Sequence, residues 1–329
     1  MTDAENEQPK GITMQITRRN TLMMAGAVIG GLAAPSILRA QTLGKIRLGY
    51  PPQVDSVPFW TAADNGFFKE AGVDVELVPV GLTAMVPGVA SGSIDLVQVN
   101  SVQAIQAIDS GLPLTLVCGA YVLPAVGNLS LSLPVNSTIT KPEELLGKRI
   151  GTPSFGSILL YMFNYWCHEH GIDYKQFKYV EMDGPTQRDL MKRGEIDAAL
   201  SYDPWYAMMK EEGTVRKFVD FYENTPKGTM VSGLLATQEW ASDNVDLLNA
   251  FRRAMVKGAD LAMKDRDGAR RTLQKWTKMT DQIAAKIEIP NYSPEIGEQN
   301  LEHILKVMKQ QELLTGDLTA KDVVWPWAV

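Results

Sequence analysis

The chain has 329 residues, 45% of them hydrophobic and 21% charged, with 32 Lys+Arg against 38 Asp+Glu, 3 His and 2 Cys. The apolar content excludes a disordered chain, and a net charge of −6 excludes a nucleic-acid binder working through a basic face. Two cysteines cannot build a disulfide scaffold or a four-cysteine zinc site, three histidines leave little room for a histidine-rich metal site, and the length predicts two domains.

Residues 1–40 read as an address rather than as fold. Arg18 and Arg19 precede a Gly/Ala-rich apolar stretch from Leu22 to Ala34, and Arg39-Ala40 ends it on a small residue. Charged, apolar, small is the order of a secretory signal, and the stretch is too short to span a bilayer. Thr17, Arg18, Arg19 and Leu22 resemble a twin-arginine signal, but Thr21 and Met23 depart from its usual Phe and Lys, so the general secretory route stays open. Cleavage after Ala40 leaves 289 residues and removes four basic and three acidic groups, taking the net charge from −6 to −7. No later run reaches the roughly 18 apolar residues of a membrane span, so the mature chain is expected to be soluble.

The mature chain repeats itself. Arg47-Leu48-Gly49-Tyr50-Pro51 recurs as Arg149-Ile150-Gly151-Thr152-Pro153, at an offset of 102. Ser91-Gly92-Ser93-Ile94-Asp95 recurs as Arg193-Gly194-Glu195-Ile196-Asp197, again at 102, and Gly72-Val73-Asp74 answers Gly171-Ile172-Asp173 at 99. Each copy predicts the same elements. Copy one has a strand over 46–50, a helix over 57–71, a strand over 74–80, a short helix ending at Gly92 and a strand over 94–99. Copy two has a strand over 149–152, a helix over 157–170, a strand over 177–181, a short helix ending at Gly194 and a strand over 196–201. Gly72 and Gly171 stand where a helix end favours the left-handed conformation. Strands over 114–118, 128–133 and 229–236 and helices over 242–263, 267–276 and 294–311 complete the chain. Alternating strands and helices predict two α/β lobes, each a mainly parallel sheet flanked by helices. A helical tail returning to the first lobe demands two crossings, around 125–133 and 227–235, and hence a hinge. The expected division is a signal over 1–40, a first lobe from 41–130 plus 235–329, and a second lobe over 131–234.

The chain resembles the solute-binding proteins of ABC importers, in the nitrate/sulfonate/taurine and pyrimidine-precursor group. The stretches that carry the resemblance are Asp64-Asn65-Gly66-Phe67-Phe68-Lys69-Glu70-Ala71-Gly72, Ala90 to Asp95, Lys141 to Ile150, and Gly194 to Ala198 running into Tyr202-Asp203-Pro204-Trp205. The resemblance implies a type II periplasmic binding protein: two α/β lobes, two crossover hinge strands and closure on a small-molecule ligand. It further implies periplasmic location, an ABC permease with its ATPase as partner, a monomer, and no cofactor.

Ligands of open α/β sheets sit beyond the carboxyl ends of the strands. The loops there are 53–60, 81–85 and 100–103 in the first lobe, and 154–157, 183–187 and 202–206 in the second. Ser154-Phe155-Gly156-Ser157 joins a strand to a helix, where hydroxyls and free N–H groups suit an anion, unless the serines only cap their own helix. Asp203 stands at a strand mouth beside Tyr202 and Pro204-Trp205, either receiving an amine or closing an Asx turn. Asp183 reads more as a cap than as a contact. Asn100 and Ser101 are the repeat equivalents of Tyr202 and Asp203; Trp60 and Trp205 are candidates to wall the cleft or pack the core, and Thr83 offers a hydroxyl. None of the six loops holds a Lys or Arg, which disfavours a polyanion and fits an amino-substituted sulfonate such as taurine, or an aminopyrimidine between aromatics.

Catalysis finds no residues to carry it. His168 and His170 are two apart on a helix and cannot converge on a metal, His303 stands alone, and no Gly-x-Ser-x-Gly or Walker-type loop occurs. The expectation is a binding protein and not an enzyme, with no catalytic residue and no metal.

Overall fold

The computed structural model describes residues 43–123, 129–222 and 225–326. The signal expected over 1–40 lies outside the described residues. The first lobe opens with strand β1 (Gly44–Tyr50), helices α1 (Val57–Asp64) and α2 (Phe67–Glu70), β2 (Val73–Pro79), α3 (Met85–Ala90), β3 (Leu96–Asn100), α4 (Ser101–Asp109) and β4 (Leu114–Val122). The second holds β5 (Leu129–Pro134), β6 (Arg149–Thr152), α5 (Ile158–Glu169), β7 (Lys178–Glu181), α6 (Gly184–Arg193), β8 (Ala198–Tyr202), α7 (Trp205–Glu211) and β9 (Val215–Val219). The chain returns with β10 (Met230–Thr237), α8 (Gln238–Asp243), α9 (Val245–Lys264), α10 (Arg266–Thr277), α11 (Asp281–Ala284), β11 (Asn291–Tyr292), α12 (Glu302–Gln310) and α13 (Ala320–Val323).

Two sheets result, in the orders β11-β4-β10-β3-β1-β2 and β7-β6-β8-β5-β9. The sheets were expected to be mainly parallel, and both are mixed. β1 runs parallel to β2 and β3, and β6 to β7 and β8, but β10 enters antiparallel between β3 and β4, and β5 antiparallel between β8 and β9. The reason is topological. Each inserted strand arrives from the other lobe and runs away from the junction, whereas β1, β3, β6 and β8 run toward it.

The internal repeat is structural as well as sequential. Leu48 faces Leu96 in one sheet and Ile150 faces Ala198 in the other. Asp95 Oδ2 accepts the Arg47 N–H at 2.7 Å, and Asp197 Oδ2 accepts the Arg149 N–H at 2.9 Å. The landmarks Gly-x-Ile-Asp and Arg-x-Gly therefore recur because they bond to each other in both lobes. Burial differs at the ends of these pairs: Arg47 also makes an ion pair with Asp95 at 2.6 Å.

The helix expected over 57–71 is broken: Gly66 turns left-handed at φ 73° and splits it into α1 and α2. The helix expected over 294–311 begins only at Glu302, because β11 and a 3-10 turn over Glu298–Asn300 precede it. The first crossing runs from the end of β4 to β5 and includes residues 124–128, outside the described set; the second lies between β9 and β10. The two crossings are tied together, with Leu123 N–H bonded to the Thr229 carbonyl at 2.9 Å and Gly228 N–H to the Leu123 carbonyl at 2.8 Å. Cys118 and Cys167 are free thiols, buried in separate lobes. No helix among the described residues is long and apolar enough to cross a membrane.

Candidate ligand-binding cleft

The carboxyl ends of β1, β3, β6 and β8 converge on a cavity between the two sheets. It contains about 670 Å³ of atom-free space, part of it open to solvent, within the usual range of small-molecule sites. The first lobe supplies Gln53, Val54, Asp55, Leu82, Gln98, Asn100, Gln103 and Tyr121, among others; the second supplies Leu129, Ser154, Ser157, Ile158, Leu159, Tyr202 and Asp203. No Lys, Arg or His lines it.

Of the residues proposed from sequence, Ser154, Ser157, Asn100, Tyr202 and Asp203 face this cavity. Ser157 is also the N-cap of α5, its hydroxyl accepting the Leu159 N–H at 3.2 Å, so the anion-site and cap readings share one side chain. Asn100 caps α4 through the Gln103 N–H at 2.9 Å. Asp203 is buried; its Oδ1 accepts the Ala207 N–H at 3.1 Å.

The other candidates stand elsewhere. Trp60 is fully buried in the first-lobe core, stacked on Trp276 with centroids 5.7 Å apart. Its place at the start of an apolar helix decided this: α1 turns its large side chains onto α9 and α10. Ser101 is buried behind Asn100 and does not line the cavity. Thr83 is exposed, and its neighbour Leu82 takes the wall position. Asp183 caps α6, accepting the Thr186 N–H at 2.9 Å. Trp205 lies over Gly184, where a Cβ would collide with its ring. Phe155 is exposed, its N–H donated to Glu181 at 2.8 Å, and Gly156 sits against Gln103 of the other lobe. This turn is therefore the lip of the cleft. Tyr161 helps close it, accepting from Gln106 Nε2 at 3.3 Å and donating to the Phe155 carbonyl at 2.6 Å.

Sequence reasoning missed Gln98 and Tyr121. Both are 1% exposed, and Gln98 Nε2 and Tyr121 Oη have no hydrogen-bond partner in the protein. Buried polar groups are almost always paired, and leaving one unpaired costs about 1–3 kcal/mol. The Ser56 hydroxyl lies 2.8 Å from the Pro51 carbonyl and 2.7 Å from the Gln98 amide, so the wall leaves one end of that amide and the Tyr121 hydroxyl unpaired, and they mark where a ligand or water belongs. Gln98 was visible as an amide between Val97 and Val99 in the apolar part of β3. Tyr121 was not, because the strand expected to stop at Cys118 continues to Val122.

The electrostatics follow from burial. Desolvation pushes the Asp55 carboxyl up to about 6, against the pull of the Ser232 hydroxyl and its own N–H. Asp203 rises to about 7, first by desolvation and then through Glu288, with the Ala207 N–H and Lys210 opposing. Burial first, then the Asp55 charge, holds the Tyr121 hydroxyl well above its ordinary value.

Residues 53–269, more than half of the chain, match the family described as NMT1/THI5 like. The chain belongs to the NMT1/THI5-like family. The matched span includes every cavity-lining residue except Pro51. The taurine-binding periplasmic protein of Escherichia coli (strain K12) is 31% identical over 207 residues, covering 61% of this chain and 59% of that protein. The match thus spans less than two-thirds of that relative. The formylaminopyrimidine-binding protein of Halalkalibacterium halodurans is 23% identical over 269 residues, covering 80% of this chain and 77% of that one. Among solved structures, the alkanesulfonate-binding protein from Xanthomonas axonopodis pv. citri bound to MOPS superposes with a TM-score of 0.74 at 18% identity, covering 85% of this chain and 98% of that one. The nitrate-binding protein from Synechocystis PCC 6803 gives 0.69 at 14% identity, covering 85% and 84%. The fold is that of the two-lobed periplasmic binding proteins.

Proposed function

We propose that this protein is the solute-binding component of an ABC importer. It leaves the cytoplasm by its N-terminal signal, captures a small solute between its lobes in the periplasm, and delivers it as a monomer to a permease and its ATPase. The observation that carries the reading is the cavity between the lobes, with the unpaired Tyr121 hydroxyl and one free end of the Gln98 amide on one wall and Ser154, Ser157 and Asp203 on the other. A solute touching both walls binds the closed form best, and that differential affinity drives closure about the paired crossings at Leu123 and Thr229.

The solute is an amino-substituted organic sulfonate of the taurine type, its anion on Ser154 and Ser157, its amine on Asp203, and its remaining acceptor turned to the unpaired Tyr121 hydroxyl on the first-lobe wall. The similarity to the taurine-binding relative supports it. A second reading, an aminopyrimidine, draws on the cation-free lining and on the formylaminopyrimidine-binding relative. Nothing in the cavity calls for catalysis: both thiols lie outside its lining, and burial pushes each up to about 12.

Thermal unfolding with taurine, alkanesulfonates and formylaminopyrimidine tests this. A ligand at a hundred times its Kd stabilises by about 2.7 kcal/mol. A rise in midpoint with taurine is the expected result, and no rise with any of these solutes overturns the reading.

A further inference from the structure

The proposed grip on the solute anion is tied to a residue that does not line the cavity. The turn Ser154–Ser157 carries both serines of the second-lobe wall, and its middle is held on both sides of Phe155: the N–H donates to Glu181 Oε2 at 2.8 Å, and the carbonyl accepts from Tyr161 Oη at 2.6 Å. A carbonyl can only accept, so the one phenolic proton goes to Phe155. The 3.3 Å bond between Tyr161 and Gln106 must then run from the Gln106 amide nitrogen to the phenol oxygen. Gln106 stands on α4 of the first lobe and Tyr161 on α5 of the second. Gln311, at the end of α12, donates to the Tyr161 carbonyl at 2.8 Å, so two separate elements hold α5 at this one residue. Beside it the lobes meet with almost no spare room: a Cβ on Gly156 would stand 3.1 Å from Gln103 Cγ and 3.6 Å from Gln106 Oε1. Tyr161 itself is buried and is not among the residues lining the cavity.

We infer that Tyr161 is a positioning residue that couples the approach of the lobes to the grip on the solute, its hydroxyl passing the first-lobe contact of Gln106 to the turn that carries Ser154 and Ser157. This rests on the cleft being the solute site. While α4 and α5 are in contact, the Gln106 amide fixes the phenol and the phenol fixes the Phe155 carbonyl. The two serines that flank this part of the turn are then held in place for the solute. When the lobes part, Gln106 withdraws and the turn keeps only its ties within the second lobe. An ordered turn loses less conformational freedom on binding, which raises affinity for the same contacts. The coupling is reciprocal: a solute that orders the turn strengthens the contact between Tyr161 and Gln106 by the same factor. Because the relay exists only while the lobes touch, its loss acts on the escape of the solute and not on its entry into the open cleft.

The test measures Kd by calorimetry and the dissociation rate by stopped-flow tryptophan fluorescence, on the mature wild-type protein, Tyr161→Phe, Gln106→Leu and the double variant. The probe is whichever of taurine, ethanesulfonate and formylaminopyrimidine binds the wild type most tightly. A hydrogen bond is worth about 3- to 10-fold in affinity, so each single variant should weaken Kd by about that factor. The loss should appear as faster dissociation, with the association rate within about 2-fold of wild type. The double variant should bind within about 2-fold of the weaker single variant, because both substitutions cut the same relay. Should Tyr161→Phe fail to fold, Gln106→Leu decides through the same split between the two rates. Wild-type affinity in the single variants, losses that multiply in the double variant, or a loss carried by slower association overturns the inference and leaves the importer reading standing. Binding of none of the three probes to the wild type overturns this inference together with the cleft as a binding site.

Discussion

Raising the pH of the ligand-free protein from 5 to 8 should destabilise it through the two cleft carboxyls. Asp203 moves from an ordinary 3.8 to about 7, and Asp55 from 3.8 to about 6. In the unfolded chain both are ionised above pH 5, whereas in the fold burial keeps them protonated up to these higher values. The folded state therefore binds more protons, and stability falls as pH rises toward each folded pKa. Each pH unit below that value costs about 1.4 kcal/mol, so Asp203 loses about 2.6 between pH 5 and 7 and Asp55 about 1.4 between 5 and 6, roughly 4 kcal/mol together. Spread over a chain of this size, that lowers Tm by about 7 °C. His303 acts in the opposite sense: burial lowers its pKa, so its contribution grows as pH rises through 6.5. The comparison is therefore with Asp55→Asn/Asp203→Asn, which keeps His303 and removes both carboxyls. Melts by circular dichroism at pH 5, 6, 7 and 8 should show the wild type losing about 7 °C more than the double variant. Parallel pH profiles in the two proteins would refute the claim that burial raises these two carboxyls.

Two further outcomes test the packing. Gly258 lies in α9 where a Cβ would collide with the Pro58 carbonyl and come 2.9 Å from Ala62 Cβ in α1. Gly258→Ala should destabilise by about 1–3 kcal/mol in urea unfolding, although helix propensity alone predicts a gain of about 1 kcal/mol; a stabilised variant contradicts this packing. Trp60→Ala removes a fully buried side chain stacked on Trp276 and should cost about 3–5 kcal/mol, with the Kd of any cleft ligand unchanged in the folded protein. A large loss of affinity without loss of stability would return Trp60 to the cleft wall.

The alternation of elements, the repeat at an offset of 102 and the left-handed glycines 72 and 171 were legible in the sequence because each is a local signal. Local periodicity also located the strand ends, and so singled out Ser154, Ser157, Asn100, Tyr202 and Asp203, which line the cavity between the sheets. It left two readings open where one signal served two purposes. Trp60 and Trp205 are aromatic residues in the first turn of α1 and of α7, and composition does not distinguish an aromatic that packs inward from one that faces a ligand. Ser101 matches Asp203 in the repeat, yet only Asp203 reaches the cavity.

The sequence by itself determined the two α/β units, their order and the loops that meet at the junction, since these depend on residue periods and turn chemistry within a few tens of residues. Tertiary structure alone decided that β5 and β10 enter antiparallel, and that Asp55, Gln98 and Tyr121 share one wall with Asp203 opposite. Those residues come from four separate segments. Their burial, and with it the raised pKa of each carboxyl and the unpaired donors, arises only when the sheets exclude water from the space between them.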